Sequence, residues 1–195
     1  MNIRSATADD GPFIAQMIEL SSDGVASLEW QEASERQEDV TPLDFGSQLY
    51  SSSEGDYSYR NCRIAEIDGP VGMLLSFPLT EENMCVDAMP PPFEPGDYLA
   101  PFKYLEAKDS WYICGVAVRP EYRKFGIATQ LMKQSMAQGK VNGYDNCSLV
   151  AMCEKQWLIE FYESLGFRVT KTAPIVEHPG IRVSGLAALM ERQTS

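Results

Sequence analysis

At 195 residues, with 44% hydrophobic and 23% charged positions, the chain has the composition of one ordinary globular domain able to bury roughly 70% of its unfolded surface. A net charge of −12 argues against a nucleic-acid partner, which needs a basic face, and mildly favours a cationic substrate. No apolar run reaches the about 18 residues of a membrane span, and Met1-Asn-Ile-Arg-Ser lacks the apolar stretch of an export signal, so the cytoplasm is the default expectation.

Strand-like and helix-like stretches alternate along the chain, as in an α/β or α+β domain. Asn2 to Ala6 reads as a first strand. Asp9 and Asp10 supply cap chemistry before Gly11-Pro12, and Phe13, Ile14, Met17 and Ile18 then repeat at helical spacing. Residues 21 to 58 are polar, with Thr41-Pro42 a plausible helix start. Arg60 to Ile67 and Val71 to Phe77 form a hairpin about Asp68-Gly69-Pro70. The prolines of Met89 to Pro95 break regular structure and mark an inserted loop. A short helix is expected at Tyr98 to Glu106, then an apolar strand from Trp111 to Val118. A helix over about Gly126 to Gln138 follows, its apolar face made of Ile127, Ala128, Leu131, Met132 and Met136. Cys147 to Met152 is a buried strand, and a helix from about Lys155 to Leu165 stops at Gly166. Strands at Phe167 to Thr172 and Ile181 to Met190 complete the chain. With no repeat and no linker, one domain over residues 1–195 is expected.

Cys62, Cys85, Cys114, Cys147 and Cys153 include no Cys-x-x-Cys pair, which points to free thiols. With His178 the single histidine, no metal site is expected.

The segment that carries chemistry is Val116-Ala-Val-Arg-Pro-Glu-Tyr-Arg-Lys-Phe-Gly-Ile-Ala-Thr129. It leaves an apolar strand and opens an amphipathic helix. Such a junction aims unpaired backbone N–H groups and the positive end of the helix dipole at one place, where a pyrophosphate can sit. Gly126 and Ala128 are small enough for close approach. Arg123 and Lys124 add positive charge to an acidic protein. The bland alternative is a helix cap with solvated basic residues. The loop is neither Gly-x-x-x-x-Gly-Lys-Ser/Thr nor Gly-x-Gly-x-x-Gly, so both nucleotide readings fall.

Strand, Arg123-x-x-Gly126-x-Ala128 and helix resemble the coenzyme A motif of the GNAT superfamily, the Gcn5-related N-acetyltransferases. A second stretch, Trp157-Leu-Ile-Glu-Phe-Tyr162-Glu-Ser-Leu-Gly166-Phe167, is similar to that family's later helix. The two stretches cover roughly residues 111 to 168. The resemblance implies a single GNAT-like α/β (α+β) domain: a central, mixed, mostly antiparallel twisted sheet of about six to seven strands with helices on both faces. It implies acetyl-CoA as acyl donor, held by Val116, Ala117, Val118, Arg123, Lys124, Phe125, Gly126, Ile127, Ala128 and Thr129. It implies direct attack by an amine acceptor of small-molecule or peptide type, with no covalent enzyme intermediate. In that family the fourth strand splays from the fifth and its edge receives the pantetheine arm, so backbone N–H groups near Val116 are the expected oxyanion donors. Tyr162 matches the family's general acid.

The resemblance weakens at the base. Some members carry a Glu on the fourth strand, six residues before its last apolar position, and that place holds Tyr112. A neutral tyrosine is a poor base near pH 7. Glu106 and Asp109 lie nearby but read as solvated loop acids, so no base is assigned. The missing Glu leaves a second reading open, a non-catalytic acyl-CoA binding or sensing module. Where the later helix often opens with an Asn, this chain has Lys155, read as a surface lysine. Gly115 either supports a bulge or packs closely, and His178 reads as a turn residue. Trp111 and Trp157 read as core or pocket-wall aromatics, and Cys114 and Cys153 as buried thiols. Glu81 to Pro95 and Ser21 to Ser53 are the expected acceptor walls. Oligomeric state stays open, dimers being common in the family.

Overall fold

In the computed structural model, residues 1–85 and 87–193 are described. The chain divides into two compact units, Met1–Phe77 with Gly115–Ser135, and Pro78–Cys114 with Met136–Ser195. Seven strands form one mixed sheet in the order β1-β2-β3-β4-β5-β7-β6.

In the first unit, β1 (Asn2–Ser5) runs antiparallel to β2 (Cys62–Glu66), pairing Asn2 with Glu66 and Ser5 with Arg63. β2 turns into β3 (Pro70–Leu79) through Asp68 and Gly69, both at left-handed φ (52° and 131°). This is the conformation that suits a tight hairpin, and Asp-Gly supplies it at little cost. The entry to α1 (Gly11–Ser21) is locked from β1. Arg4 grips Asp10 with two guanidinium nitrogens at 2.7 and 2.8 Å and Glu66 with its Nε at 2.8 Å. Asp10 also accepts from the Thr7 N–H and hydroxyl. The Arg4 bonds hold this carboxyl below its usual range, with those from Thr7 adding to the effect. Glycine decides two close approaches here. A Cβ on Gly11 would lie 2.0 Å from Ser51 Oγ in α3 (Pro42–Ser51), and one on Gly46 would lie 2.9 Å from the Trp30 ring of α2 (Val25–Ser34). The polar stretch from 21 to 58 thus holds two helices. An edge-to-face series joins them to the sheet: Trp30 on Tyr50, Tyr50 on Tyr57, Tyr57 on Phe77.

In the second unit, β5 (Asn146–Met152), β7 (Leu186–Gln193) and β6 (Arg168–Pro174) are antiparallel neighbours, with β7 between the other two. The strand expected at Ile181 to Met190 starts later, at Leu186. Ile175 N–H bonds the Gly185 carbonyl at 2.9 Å and Gly185 has φ 78°, so residues 181–185 belong to the turn. The inserted segment after β3 is tied down at several points. Asn83 accepts from the Thr80 N–H at 2.7 Å and donates to the Pro78 carbonyl at 2.9 Å, Lys108 pairs with Glu81, and Tyr98 packs on His178. The short helix expected at Tyr98 to Glu106 is reduced to α4 (Ala100–Tyr104). Lys171 caps that helix end, donating to the Tyr104 carbonyl at 2.6 Å above the Tyr104 ring.

Candidate active site

β4 (Ser110–Val118) is the strand on which the site depends. Its parallel pairing with β5 covers Trp111↔Cys147 and Tyr112↔Ser148, and stops there. β4 nevertheless continues to Val118 and β5 to Met152. The ladder thus ends where the strand still has six residues to run. A buried hydroxyl pair, Ser110 Oγ to Ser148 Oγ at 2.6 Å, links the start of β4 to β5, and Ser110 also donates to the Ala107 carbonyl at 2.7 Å. Gly115 is a packing glycine. A Cβ there would lie 2.8 Å from Ile18 Cδ1 and 3.7 Å from Ser21 Oγ, so the end of α1 rests on β4.

Past Val118 the chain makes a 3-10 turn (Pro120–Tyr122) and then the loop into α5 (Ile127–Val141). The Arg119 N–H donates to the Val71 carbonyl at 2.8 Å, and its guanidinium lies over the Phe13 ring. Arg123 Nε donates to the Val118 carbonyl at 3.1 Å. The loop is thereby tied back to the strand it leaves. Lys124 and Gly126 both have left-handed φ, 67° and 76°. Alternation of this kind turns successive N–H groups to one side, the geometry of an anion nest. Among the described residues, no backbone bond takes up the N–H groups of Lys124 to Ala128, and they adjoin the positive end of a 15-residue helix. A Cβ on Gly126 would meet nothing within 4 Å, so the approach to the nest is open. Of the sequence-named donor residues, Ala117, Val118 and Ile127 are buried, Val116, Ala128 and Thr129 half-buried, and Arg123, Lys124, Phe125 and Gly126 exposed. Phe125 is 73% exposed, unusual for so large an apolar ring.

Tyr162 lies in the second unit on α6 (Gln156–Ser164), 6% exposed between Phe161 and Phe167. Burial raises its pKa well above the phenol range, with no charged or hydrogen-bonding neighbour contributing. The hydroxyl therefore stays protonated, a donor rather than a base.

Several neighbours differ from their sequence reading. Glu106 is not a solvated acid: it is half-buried, its Oε2 accepts from the Cys85 N–H at 2.8 Å, and burial raises its pKa. Its flanking residues, Leu105 and Ala107, are buried, and that apolar flanking was the signal in the sequence. Asp109 is exposed. Lys155 is half-buried and engaged within the protein, so it is not a plain surface lysine. Trp111 is core, packed against Gly139, whereas Trp157 is 63% exposed and lies outside the core. Cys114 and Cys153 are half-buried. His178 is a turn residue, its Nδ1 accepting from the Gly180 N–H at 3.0 Å. Among the described residues no three His, Cys, Asp or Glu side chains gather as metal ligands, and no helix is long and apolar enough to cross a membrane.

Comparisons with known proteins bear on the fold and the family. The crystal structure of an acetyltransferase superposes with a TM-score of 0.69 at 19% identity, covering 100% of both chains. A mosquito arylalkylamine N-acetyltransferase like 5b gives 0.65 at 15% identity, covering 98% of this chain and 99% of that one. The ribosomal-protein-S18-alanine N-acetyltransferase from Escherichia coli gives 0.59 at 14% identity, covering 100% and 94%. At such identities these likenesses concern the fold. No curated protein sequence matches the chain. The sequence itself matches the acetyltransferase (GNAT) family over residues 24–167, most of its length, and the chain belongs to that family.

Proposed function

We propose that this protein is a single N-acetyltransferase domain, spanning residues 1–195 with its donor-binding core at about 111–168, that transfers acetyl from acetyl-CoA to a primary amine of a small molecule or peptide. The observation that carries this reading is the β4 ladder ending at Tyr112↔Ser148 in a strand that leads directly into an open N–H nest. A strand edge outside its ladder offers hydrogen bonds to an extended amide-bearing arm, and the nest offers them to a pyrophosphate. Val116 to Val118 supply the first, and Arg123 to Thr129 the second, with Arg123 and Lys124 adding charge.

Three needs of the reaction fall to the chain. The amine must be neutral to attack the thioester carbonyl; as its C–N bond forms it gives up a proton. Backbone N–H groups near Val116 receive the developing oxyanion, a contribution of about 3 to 4 kcal/mol where such donors are preorganised. As the C–S bond breaks, Tyr162 donates its proton to the thiolate and is reprotonated from solvent. Because burial raises the Tyr162 pKa, this transfer is uphill and its gain moderate. No side chain is assigned as base, and the amine proton leaves to water. The arylalkylamine and ribosomal-protein-alanine enzymes of the same fold support both small amines and peptide N-termini as acceptor classes, and the acidity of the chain favours cationic ones. A cytoplasmic enzyme without nucleic-acid or membrane partners fits the charge and the lack of an apolar span.

Tyr112, standing where an acid would serve as base, favours a second reading, an acyl-CoA sensor without turnover. Calorimetric titration of acetyl-CoA, followed by thiol release with polyamines, arylalkylamines, amino acids, aminoglycosides and short peptides, decides between them. The transferase reading expects release well above hydrolysis for at least one acceptor class. Tight acetyl-CoA binding with no release for any class would leave the sensor.

A further inference from the structure

The nest uses the backbone of Phe125 and leaves its ring without a task. That ring is 73% exposed, so the fold forgoes the stabilisation its burial would give. Isolated exposed apolar side chains are common and ask for no explanation by themselves. The backbone around this one sets it apart.

Lys124 before it and Gly126 after it both hold left-handed φ, 67° and 76°. On the strand side, the Tyr122 N–H donates to the Arg119 carbonyl at 2.9 Å and the Arg123 N–H to the Pro120 carbonyl at 3.2 Å. Arg123 Nε adds its bond to the Val118 carbonyl. On the helix side, the Gln130 N–H donates to the Gly126 carbonyl at 3.0 Å. The Phe125 backbone is therefore held from both directions while its ring stands in solvent. An aromatic side chain with two torsions loses little freedom when a ligand orders it. A flat apolar ring on a fixed loop, beside N–H groups suited to a pyrophosphate, has the chemistry of a stacking platform.

The pyrophosphate of coenzyme A joins the pantetheine arm to a nucleoside, and one ribose separates it from adenine. With the arm along Val116 to Val118, the nucleoside leaves the nest by its exposed side, which Arg123, Lys124, Phe125 and Gly126 form. We propose that the Phe125 ring is the platform on which that adenine stacks, so that the site selects the whole cofactor over its pantetheine half. The proposal rests on the acetyl-CoA reading of the nest and deepens it, assigning the base of the donor to one side chain. Phe125 is a specificity residue for the donor, and touches neither thioester nor acceptor. Stacking of a base on an aromatic ring removes two apolar faces from water, and needs no charge in a protein that is acidic overall.

The test compares wild type with Phe125→Ala, Phe125→Leu and Phe125→Tyr, all of which keep the backbone N–H. Thermal midpoints should stay unchanged, as for other exposed side chains. Calorimetry measures the affinity for CoA and for 4′-phosphopantetheine, which has the arm and a phosphate but no nucleoside. We expect Phe125→Ala to weaken CoA about five- to hundredfold and phosphopantetheine by less than about twofold. Phe125→Leu, apolar but without a π-face, should recover little, and Phe125→Tyr should restore wild-type binding. In Phe125→Trp, CoA should quench indole emission beyond any change in wild type, and phosphopantetheine should not. Unchanged CoA affinity in Phe125→Ala, an equal loss for phosphopantetheine, or full recovery by Phe125→Leu overturns the platform and leaves acetyl-CoA as donor. If wild type binds no CoA, the donor reading and the platform fail together.

Discussion

Tyr162 and Gly126 carry the sharpest expectations for single side chains. The Tyr162 hydroxyl is buried and its pKa raised, so it remains a proton donor across the working range but a weak one. Tyr162→Phe is expected to lower kcat about ten- to hundredfold, the low end of what positioned acids supply, with KM for acetyl-CoA within about twofold and the thermal midpoint unchanged. The direction of the pKa shift fixes a second observable. A phenol displaced upward does not ionise below about pH 10, so wild-type kcat should show no alkaline fall between about pH 8 and 10 that disappears in the Phe variant. Steady-state rates over that range check both points. Gly126 answers to backbone and ligand together. Its φ of 76° disfavours any side chain, and an added methyl would project into open space rather than into protein. Gly126→Ala should therefore cost about 1 kcal/mol of stability. It should weaken acetyl-CoA more than that strain explains, by about tenfold or more, because the methyl stands at the nest mouth. Equal binding by calorimetry would mean the pyrophosphate sits elsewhere.

At the scale of elements, the Arg4–Asp10–Thr7 cluster shows how β1 secures α1. Asp10 has a folded pKa below its unfolded value, so its contribution is complete above the unfolded pKa of about 4 and is lost as pH falls toward the folded one. Asp10→Asn should destabilise by about 1 to 3 kcal/mol at neutral pH, and the gap from wild type should shrink as pH drops from about 4.5 toward 3. Chemical denaturation at several pH values measures it; a gap independent of pH would show that the carboxylate charge contributes nothing. The same cluster illustrates what a single sequence makes legible. Capping chemistry at Asp9-Asp10, the Asp-Gly hairpin and the strand–loop–helix at Val116–Thr129 are local signals, and they mark real elements. Where the β4–β5 register ends is written in no residue pattern, because a ladder's end depends on both strands. Burial of Glu106, Lys155 and Asp23 is likewise set by packing from distant segments, so local polarity pointed the wrong way for the first two. Residues 181–185 resembled strand because Ile181 and Val183 alternate, but the bond from Ile175 to Gly185 closes them into a turn.

Over the whole molecule, 28 acidic against 16 basic residues create a field that attracts cations and repels polyanions. Both substrates of the proposed reaction are charged, with opposite signs, so ionic strength should act on them differently. Raising salt from about 0.02 to 0.5 M shortens the Debye length from about 20 Å to about 4 Å. For a cationic acceptor, attraction by the net charge of −12 is screened, and kcat/KM should fall severalfold. For acetyl-CoA two effects oppose each other: screening relieves repulsion from the acidic surface but also weakens the pull of Arg123 and Lys124 at the nest. Its kcat/KM should change less than that of the acceptor. Stopped-flow or steady-state rates across that salt range measure it; an acceptor kcat/KM insensitive to salt would mean that the acidic surface serves no part in bringing the amine to the site.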